Sequence, residues 1–380
     1  MEMFSIFQRE QTYEMQLFNA LMFCLIAFLF WNTYITKFDS SVKKRNNFWF
    51  SLLFLIYALT PTYTGDFWGY KSLVEIFTPQ YGTWHLEELY QNLLRIIGPN
   101  YLLFRIIVWG GAEFLFIKTC SRFGVEPYRG LFLLFCLFVT KFVYARVTLA
   151  MAVYFFGLSY ICKPIDNKRT NSIILGILII LLSSFFHRSI IVVILFTPIL
   201  FFSLSKKRVK LILFLIPIII ILIRFVLTSY ASLILEEDYA DKAQSYSTAN
   251  DLGDTSKSTN LLFWWGCLPF FTSFFTVTYL IFKRKTKEQI SRSLILLYRL
   301  VFGITIFSYC CYFVRPENPT LFYRFLYMSM IPLVIIIVEM CKIRIINRRL
   351  LIILALIGLS PDAATFFFRV FMKFTPLAGH

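Results

Sequence analysis

The sequence predicts an all-α, polytopic integral membrane protein of about twelve transmembrane helices, and three observations carry that expectation. Hydrophobic residues make up 58% of the 380, with a mean hydropathy of +0.69. Apolar runs recur along the whole chain at lengths near the ~20 residues that cross a hydrocarbon core. The 38 Lys and Arg, against 21 Asp and Glu, sit in short clusters between those runs. Topology signals are distributed in this way, so the net charge of +17 does not imply a nucleic-acid partner.

Judged by apolar length, helices are expected at 15–36, 48–63, 101–118, 130–145, 146–162, 171–186, 189–204, 210–228, 261–282, 293–313, 321–340 and 350–370. The chain 1–380 then reads as a single transmembrane domain without a soluble domain or a clear repeat. Met1 to Met15 carries Glu2, Glu10 and Glu14 against Arg9, which is not the basic start of a cleavable signal, so the first apolar run is expected to remain in the membrane. Ser360-Pro361-Asp362 crosses the last segment, where the helix either kinks or ends; a single kinked span is the preferred expectation.

If the segments alternate sides, the loops 37–47, 118–129, 163–170, 205–210, 283–292 and 341–349 share one face and hold 23 of the 38 Lys and Arg. The positive-inside rule makes that face cytoplasmic and puts both termini outside. Two outer loops are long. The first, 64–100, contains Leu86, Leu89, Leu93, Leu94 and Ile97 at the spacing of a helix lying on the membrane surface. The second, 229–260, is rich in Ser, Thr, Asp and Asn. Function is therefore expected to face outward.

Cations at outer helix ends are the first candidates. Arg146 opens the fifth segment with Lys141 just before it, and His187-Arg188 occupies the tight turn between the sixth and seventh. An Arg at such a place commonly snorkels to headgroups, and a lone His in a turn is commonly structural. The functional alternative is a phosphate clamp, because guanidinium forks match phosphate oxygens and stay charged, with a proton-accepting nitrogen beside it. Arg315 and Arg324 fall on the same face; Arg105 and Arg224 lie toward outer ends and individually read as snorkellers. Glu236-Glu237-Asp238 reads as a solvated charge run.

In the first outer loop, Asp66 leaves the membrane in a Gly-flanked turn, Gly65-Asp66-Phe67-Trp68-Gly69-Tyr70, followed by His85, Glu87, Glu88 and Tyr90. An interfacial aromatic belt accounts for most of these residues. Asp66, however, is placed to meet a sugar hydroxyl, with Trp68 and Tyr70 as apolar platforms for sugar rings. The eight Cys show no CxxC spacing, so neither a disulfide framework nor a metal site is read. Nucleotide-binding and metal-hydrolase motifs are missing, so no cofactor is expected and the energy must come from an activated or ion-coupled substrate.

Asp66 with Tyr70, the Glu87/Glu88-x-Tyr90 region, the Arg146-initiated helix, Phe186-His187-Arg188-Ser189 and Tyr323-Arg324-Phe325 together resemble the EpsG family of exopolysaccharide proteins, which is similar to Wzy-type O-antigen polymerases. Arg146 to Gly157 also looks like the Arg-x10-Gly element of such polymerases. Arg292 to Gly303 has the same spacing but begins on the predicted cytoplasmic side. The resemblance implies a GT-C-like membrane glycosyltransferase architecture. It implies a metal-independent polymerase joining repeat units carried on undecaprenyl diphosphate at the periplasmic face of a bacterial inner membrane, with the bilayer and a chain-length regulator protein as partners. Arg146, Arg188, Arg315 and Arg324 would bind diphosphate, His187 or Asp66 would act as base, and Trp68, Tyr70, Glu87 and Glu88 would meet sugar. The rivals are an O-antigen ligase, with one large outer loop, and a flippase or ion-coupled transporter. Charges that gather at helix ends rather than at midplane speak against transport. A membrane acyltransferase is weaker, since no helix pairs a His with an Asp.

Overall fold

The computed structural model describes residues 21–22, 24–29, 31–32, 40–59, 92–93, 96–98, 100–138, 145–165, 169–187, 189–202, 204, 206–229, 257–283, 290–314 and 320–370. Among these, helix is the regular structure and no strand occurs. The helices are α1 Ser40–Leu59, α2 Tyr101–Phe123, α3 Pro127–Phe138, α4 Ala145–Cys162, α5 Arg169–Ser183, α6 Ile190–Phe196, a 3-10 turn Thr197–Phe201, α7 Lys206–Ser229, α8 Lys257–Phe282, α9 Arg292–Val314, α10 Thr320–Lys342 and α11 Arg348–Val370. Of the surface helix expected within 64–100, Asn92–Leu93 and Ile96–Ile97 are described and are helical. The 229–260 loop lies outside the described residues apart from its two helix-end margins.

Helix ends differ from the apolar segments for identifiable reasons. α1 starts eight residues before the expected 48, because Lys43, Lys44 and Arg45 interrupt the apolar run but not the helix; long basic side chains extend a helix past the hydrocarbon. α2 runs on past Lys118 to Phe123, where Gly124 at φ 75° adopts the left-handed conformation and its N–H returns to Ser121. Its start is capped by Asn100, whose side chain accepts from the Leu103 N–H at 2.9 Å. α3 begins at Pro127, where a missing N–H loses nothing.

The expected span 189–204 is instead α6 followed by a 3-10 turn. Pro198 cannot donate to the Ile194 carbonyl, and the Thr197 N–H takes that acceptor over, tightening the backbone. At the other proline in question the helix holds: α11 continues through Pro361. The carbonyl that Pro361 would have bonded belongs to Ile357, and the Ser360 hydroxyl donates to it at 2.9 Å.

α10 is the centre of the bundle. It packs on α9 most extensively and on α3, α8 and α4, and its residues from Phe325 to Met340 are buried. α4 pairs with α5 on one side and α2 on the other, and α8 pairs with α11. The outward faces are apolar: Ile174, Leu178 and Leu181 on α5, and Leu211, Phe214, Ile218 and Ile221 on α7, are exposed at helical spacing. Faces of this kind need lipid rather than water around them, so the protein is membrane-embedded. By length and composition Trp264–Phe282, Arg292–Phe313 and Phe325–Lys342 can each cross a bilayer, with shorter apolar helices at Val147–Cys162, Arg169–Ser183, Ile190–Phe201 and Arg349–Ser360.

Candidate functional site

Close contacts between neighbouring helices fix which residues share a level in the bundle. α4 and α5 cross at Gly157 and Gly176, where a Cβ on either glycine would stand 2.8 Å from the other's carbonyl oxygen. Arg146 precedes Gly157 by eleven residues of helix, about 16 Å, and His187 follows Gly176 by eleven, just past the end of α5, so in this antiparallel pair both lie on the same side of the crossing. α2 runs parallel to α4, because Gly111 faces Leu149 and Arg122 Nε donates to Ser159 Oγ at 2.8 Å. α10 runs parallel to α4 as well. Thr148 Oγ1 meets Tyr327 Oη at 2.6 Å, one turn from position 324 and two residues from position 146.

Positions 146, 187 and 324 therefore lie in one layer at one end of the bundle, with Arg105 of α2 about one turn farther out. α9 is antiparallel to α10, with Phe307 against Phe325 and Tyr312 against Phe322, so Arg292 starts at the opposite end. The backbones of Arg146 and Arg324 are helical, and their side chains lie outside the described residues. Asp66, Trp68, Tyr70, Glu87, Glu88, Arg188 and Arg315 lie outside them altogether.

His187 is the one predicted site residue with a described side chain. It occupies the turn after α5, half-buried, and its Nδ1 accepts from the Ser189 N–H at 3.2 Å and lies 2.6 Å from Ser189 Oγ. The turn is closed by the Ile190 N–H donating to the His187 carbonyl at 3.3 Å.

Two charged residues differ from the expectation. Arg105 does not snorkel. It is 1% exposed, its Nη1 donates to Tyr101 Oη at 3.3 Å, and its guanidinium stands 5.7 Å from the Tyr101 ring. A guanidinium can be enclosed where a phenol oxygen and an aromatic face replace part of its water shell. Charge is also not confined to helix ends. Glu113, 7% exposed and midway along α2, accepts from the Ser51 hydroxyl of α1 and borders a cavity of about 30 Å³ between α1, α2, α3, α4 and α10. Trp109, Thr148 and Tyr327 line the same cavity, which has room for a water molecule. A single acid inside the apolar run 101–118 was the sequence signal for this feature, because a carboxyl in a span needs a partner.

The opposite end of the bundle is tied differently. Arg122 stacks 3.6 Å from the Tyr160 ring centre and its Nη2 donates to the Lys163 carbonyl at 3.1 Å, while Lys342 Nζ donates to the Gly124 carbonyl at 2.8 Å. These cations, in the last turns of α2 and α10, bond the carbonyls just past the C-termini of α4 and α2, where cations are favoured.

Compared with known families, residues 45–377 match the EpsG family. The chain belongs to the EpsG family. It is thereby a membrane protein of a polysaccharide-polymerase, glycosyltransferase-like family. No curated protein and no solved structure matches it. In this EpsG-family chain no group of three or more His, Cys, Asp or Glu is arranged to hold a metal ion among the described residues.

Proposed function

We propose that this EpsG-family protein is a membrane glycosyltransferase that polymerises oligosaccharide repeat units carried on undecaprenyl diphosphate into O-antigen or exopolysaccharide. In this proposal it works at the periplasmic face of a bacterial inner membrane, with about twelve spans in a GT-C-like arrangement. The single observation that carries it is the shared layer of positions 146, 187 and 324, in a chain whose family consists of polysaccharide polymerases.

Arg146 and Arg188, with Arg315 and Arg324, neutralise the diphosphate of the donor; planar forks and permanent charge suit that task. The acceptor hydroxyl oxygen attacks the anomeric carbon of the donor sugar. A glycosidic C–O bond forms as the C–O bond to the diphosphate breaks, and its electron pair leaves on the diphosphate. The hydroxyl proton passes to His187 or Asp66. Trp68 and Tyr70 offer apolar platforms to sugar rings, and Glu87 and Glu88 accept from sugar hydroxyls. The bilayer and a chain-length regulator are the partners, and no cofactor is assigned.

The test is the glycan pattern of a strain lacking the protein. Single repeat units on the acceptor support a lost polymerase. A bare acceptor indicates a lost ligase, and complementation by both Arg146→Ala and His187→Ala at normal protein level rejects the mechanism.

A further inference from the structure

The turn after α2 gathers cations from three helix ends. Gly124 is exposed and left-handed, and a Cβ placed on it would stand 3.9 Å from Lys163 Nζ and 3.9 Å from Lys342 Nζ. The two ammoniums are therefore within twice that distance of each other, beside a residue that has no side chain to fill the gap. Their roots are fixed independently. Arg122 holds the end of α4 through the Ser159 hydroxyl and the Lys163 carbonyl, and Lys342 Nζ donates to the Gly124 carbonyl at 2.8 Å. Lys342 also faces a carboxylate, Glu339 Oε2 at 3.7 Å, too far for a hydrogen bond. The exposed Lys163 side chain has no hydrogen bond or ion pair among the described residues. Around this turn Arg122, Arg129, Lys163 and Lys342 outnumber Glu126 and Glu339, so it is positive as a whole.

Like charges held this close repel, and an anion between them reverses the sign of the interaction. Each ammonium has N–H donors that reach an anionic oxygen at about 2.8 Å, so a group with oxygens on two sides can meet both. Depth indicates which anion. The apolar helix Val147–Cys162 ends one residue before Lys163, and the span Phe325–Lys342 ends at Lys342 itself. Both ammoniums thus lie where hydrocarbon gives way to headgroups, the level of phospholipid phosphates, and Ile165 beside Lys163 is an exposed apolar residue. We propose that Lys163 and Lys342 clamp a phosphate group across Gly124, at the end of the bundle opposite positions 146, 187 and 324. An anionic phospholipid and free phosphate both offer this chemistry, and the span ends favour the lipid. A topology signal needs only the number of cations on one side, whereas this clamp needs these two.

The experiment titrates purified full-length protein in detergent with phosphatidylglycerol, with phosphatidylcholine as the zwitterionic control, and reads bound lipid and the thermal midpoint. Phosphatidylglycerol should bind and raise the midpoint of wild type. Lys163→Gln, which removes no described hydrogen bond, should weaken that binding about fivefold, and Lys342→Gln by as much. Lys207→Gln removes an exposed cation at the start of α7 and should leave binding within about twofold. Gly124→Asp sets a carboxylate between the ammoniums and should abolish binding, whereas Gly124→Asn, which tolerates the same left-handed backbone, should retain it. Inorganic phosphate is the second arm, at matched ionic strength. If it raises the midpoint of wild type but not of Lys163→Gln and displaces the lipid, the clamp holds with the free ion as its ligand; if it does neither, the lipid is the ligand. Equal weakening by Lys163→Gln and Lys207→Gln would show diffuse attraction to a basic surface and overturn the clamp. Binding of phosphatidylcholine as tight as that of phosphatidylglycerol would overturn it too.

Discussion

Gly157 and Gly176 meet backbone to backbone where α4 crosses α5, with no room for a Cβ on either. This contact sets the level of Arg146 on one helix and of His187 beyond the other. Small residues at such crossings let helices approach closely in lipid, where packing rather than water drives association. The glycine at the end of the Arg146-x10-Gly157 spacing is therefore a packing residue, whereas a Cβ on Gly303 would clash only with Ile199 Cδ1, at 2.6 Å, the tip of a side chain that can turn aside.

Gly157→Ala should cost about 1–3 kcal/mol by overpacking against a backbone oxygen that cannot rotate away. Thermal unfolding of the detergent-solubilised variant would show a lowered midpoint, and Gly157→Leu should be absent from the membrane fraction. An unchanged midpoint for Gly157→Ala would mean the two helices are farther apart.

Thr148 and Tyr327 join α4 to α10 through a hydroxyl pair at 2.6 Å. Tyr327→Phe or Thr148→Val should each cost about 0.5–1.5 kcal/mol, and the double variant should lose no more than the worse single one. Fully additive losses would show that the two hydroxyls bond elsewhere.

At the opposite end, Arg122→Lys removes the flat stack on Tyr160 and the fork that spans Ser159 and Lys163. The expected result is less protein in the membrane with polymer per protein molecule unchanged, because this end is remote from position 146. Polymer length that changes at constant protein level would link this end to the reaction.

Glu113 is the feature that a transport function would use, being an acid deep in the bundle beside a small cavity. In the polymerase account it ties α2 to α1 through Ser51. Glu113→Gln keeps an acceptor for that hydroxyl and should leave polymer assembly within about threefold, whereas Glu113→Leu should lower stability by about 1–3 kcal/mol. Loss of polymer in Glu113→Gln, with normal protein and accumulation of repeat units on the inner leaflet, would favour transport.

Most helix positions were legible from apolar length, since a bilayer sets that length and the backbone must be bonded within each span. The errors came where polar residues continue a helix, as at Lys43–Arg45, and where a proline changes the winding, as at Pro198 but not Pro361. The latter difference lies in Ser360, whose hydroxyl takes the orphaned carbonyl. The common end of Arg146, His187 and Arg324 followed from alternation of segments alone. The burial of Arg105 did not, because its i,i+4 bond to Tyr101 needs only α2 itself, whereas its enclosure depends on which helices pack over that face. Nor did the use of Ser189, since a serine before an apolar run reads as a helix cap.

The central claim is that Arg146 serves the transfer of glycan from a lipid diphosphate. Its most direct measurement is elongation of extracted lipid-linked repeat units by purified wild-type and Arg146→Ala protein, read as a polymer ladder together with released lipid diphosphate. The account predicts a ladder from wild type and single units only from the variant at the same folded amount. A full ladder from Arg146→Ala, or none from wild type, would contradict it.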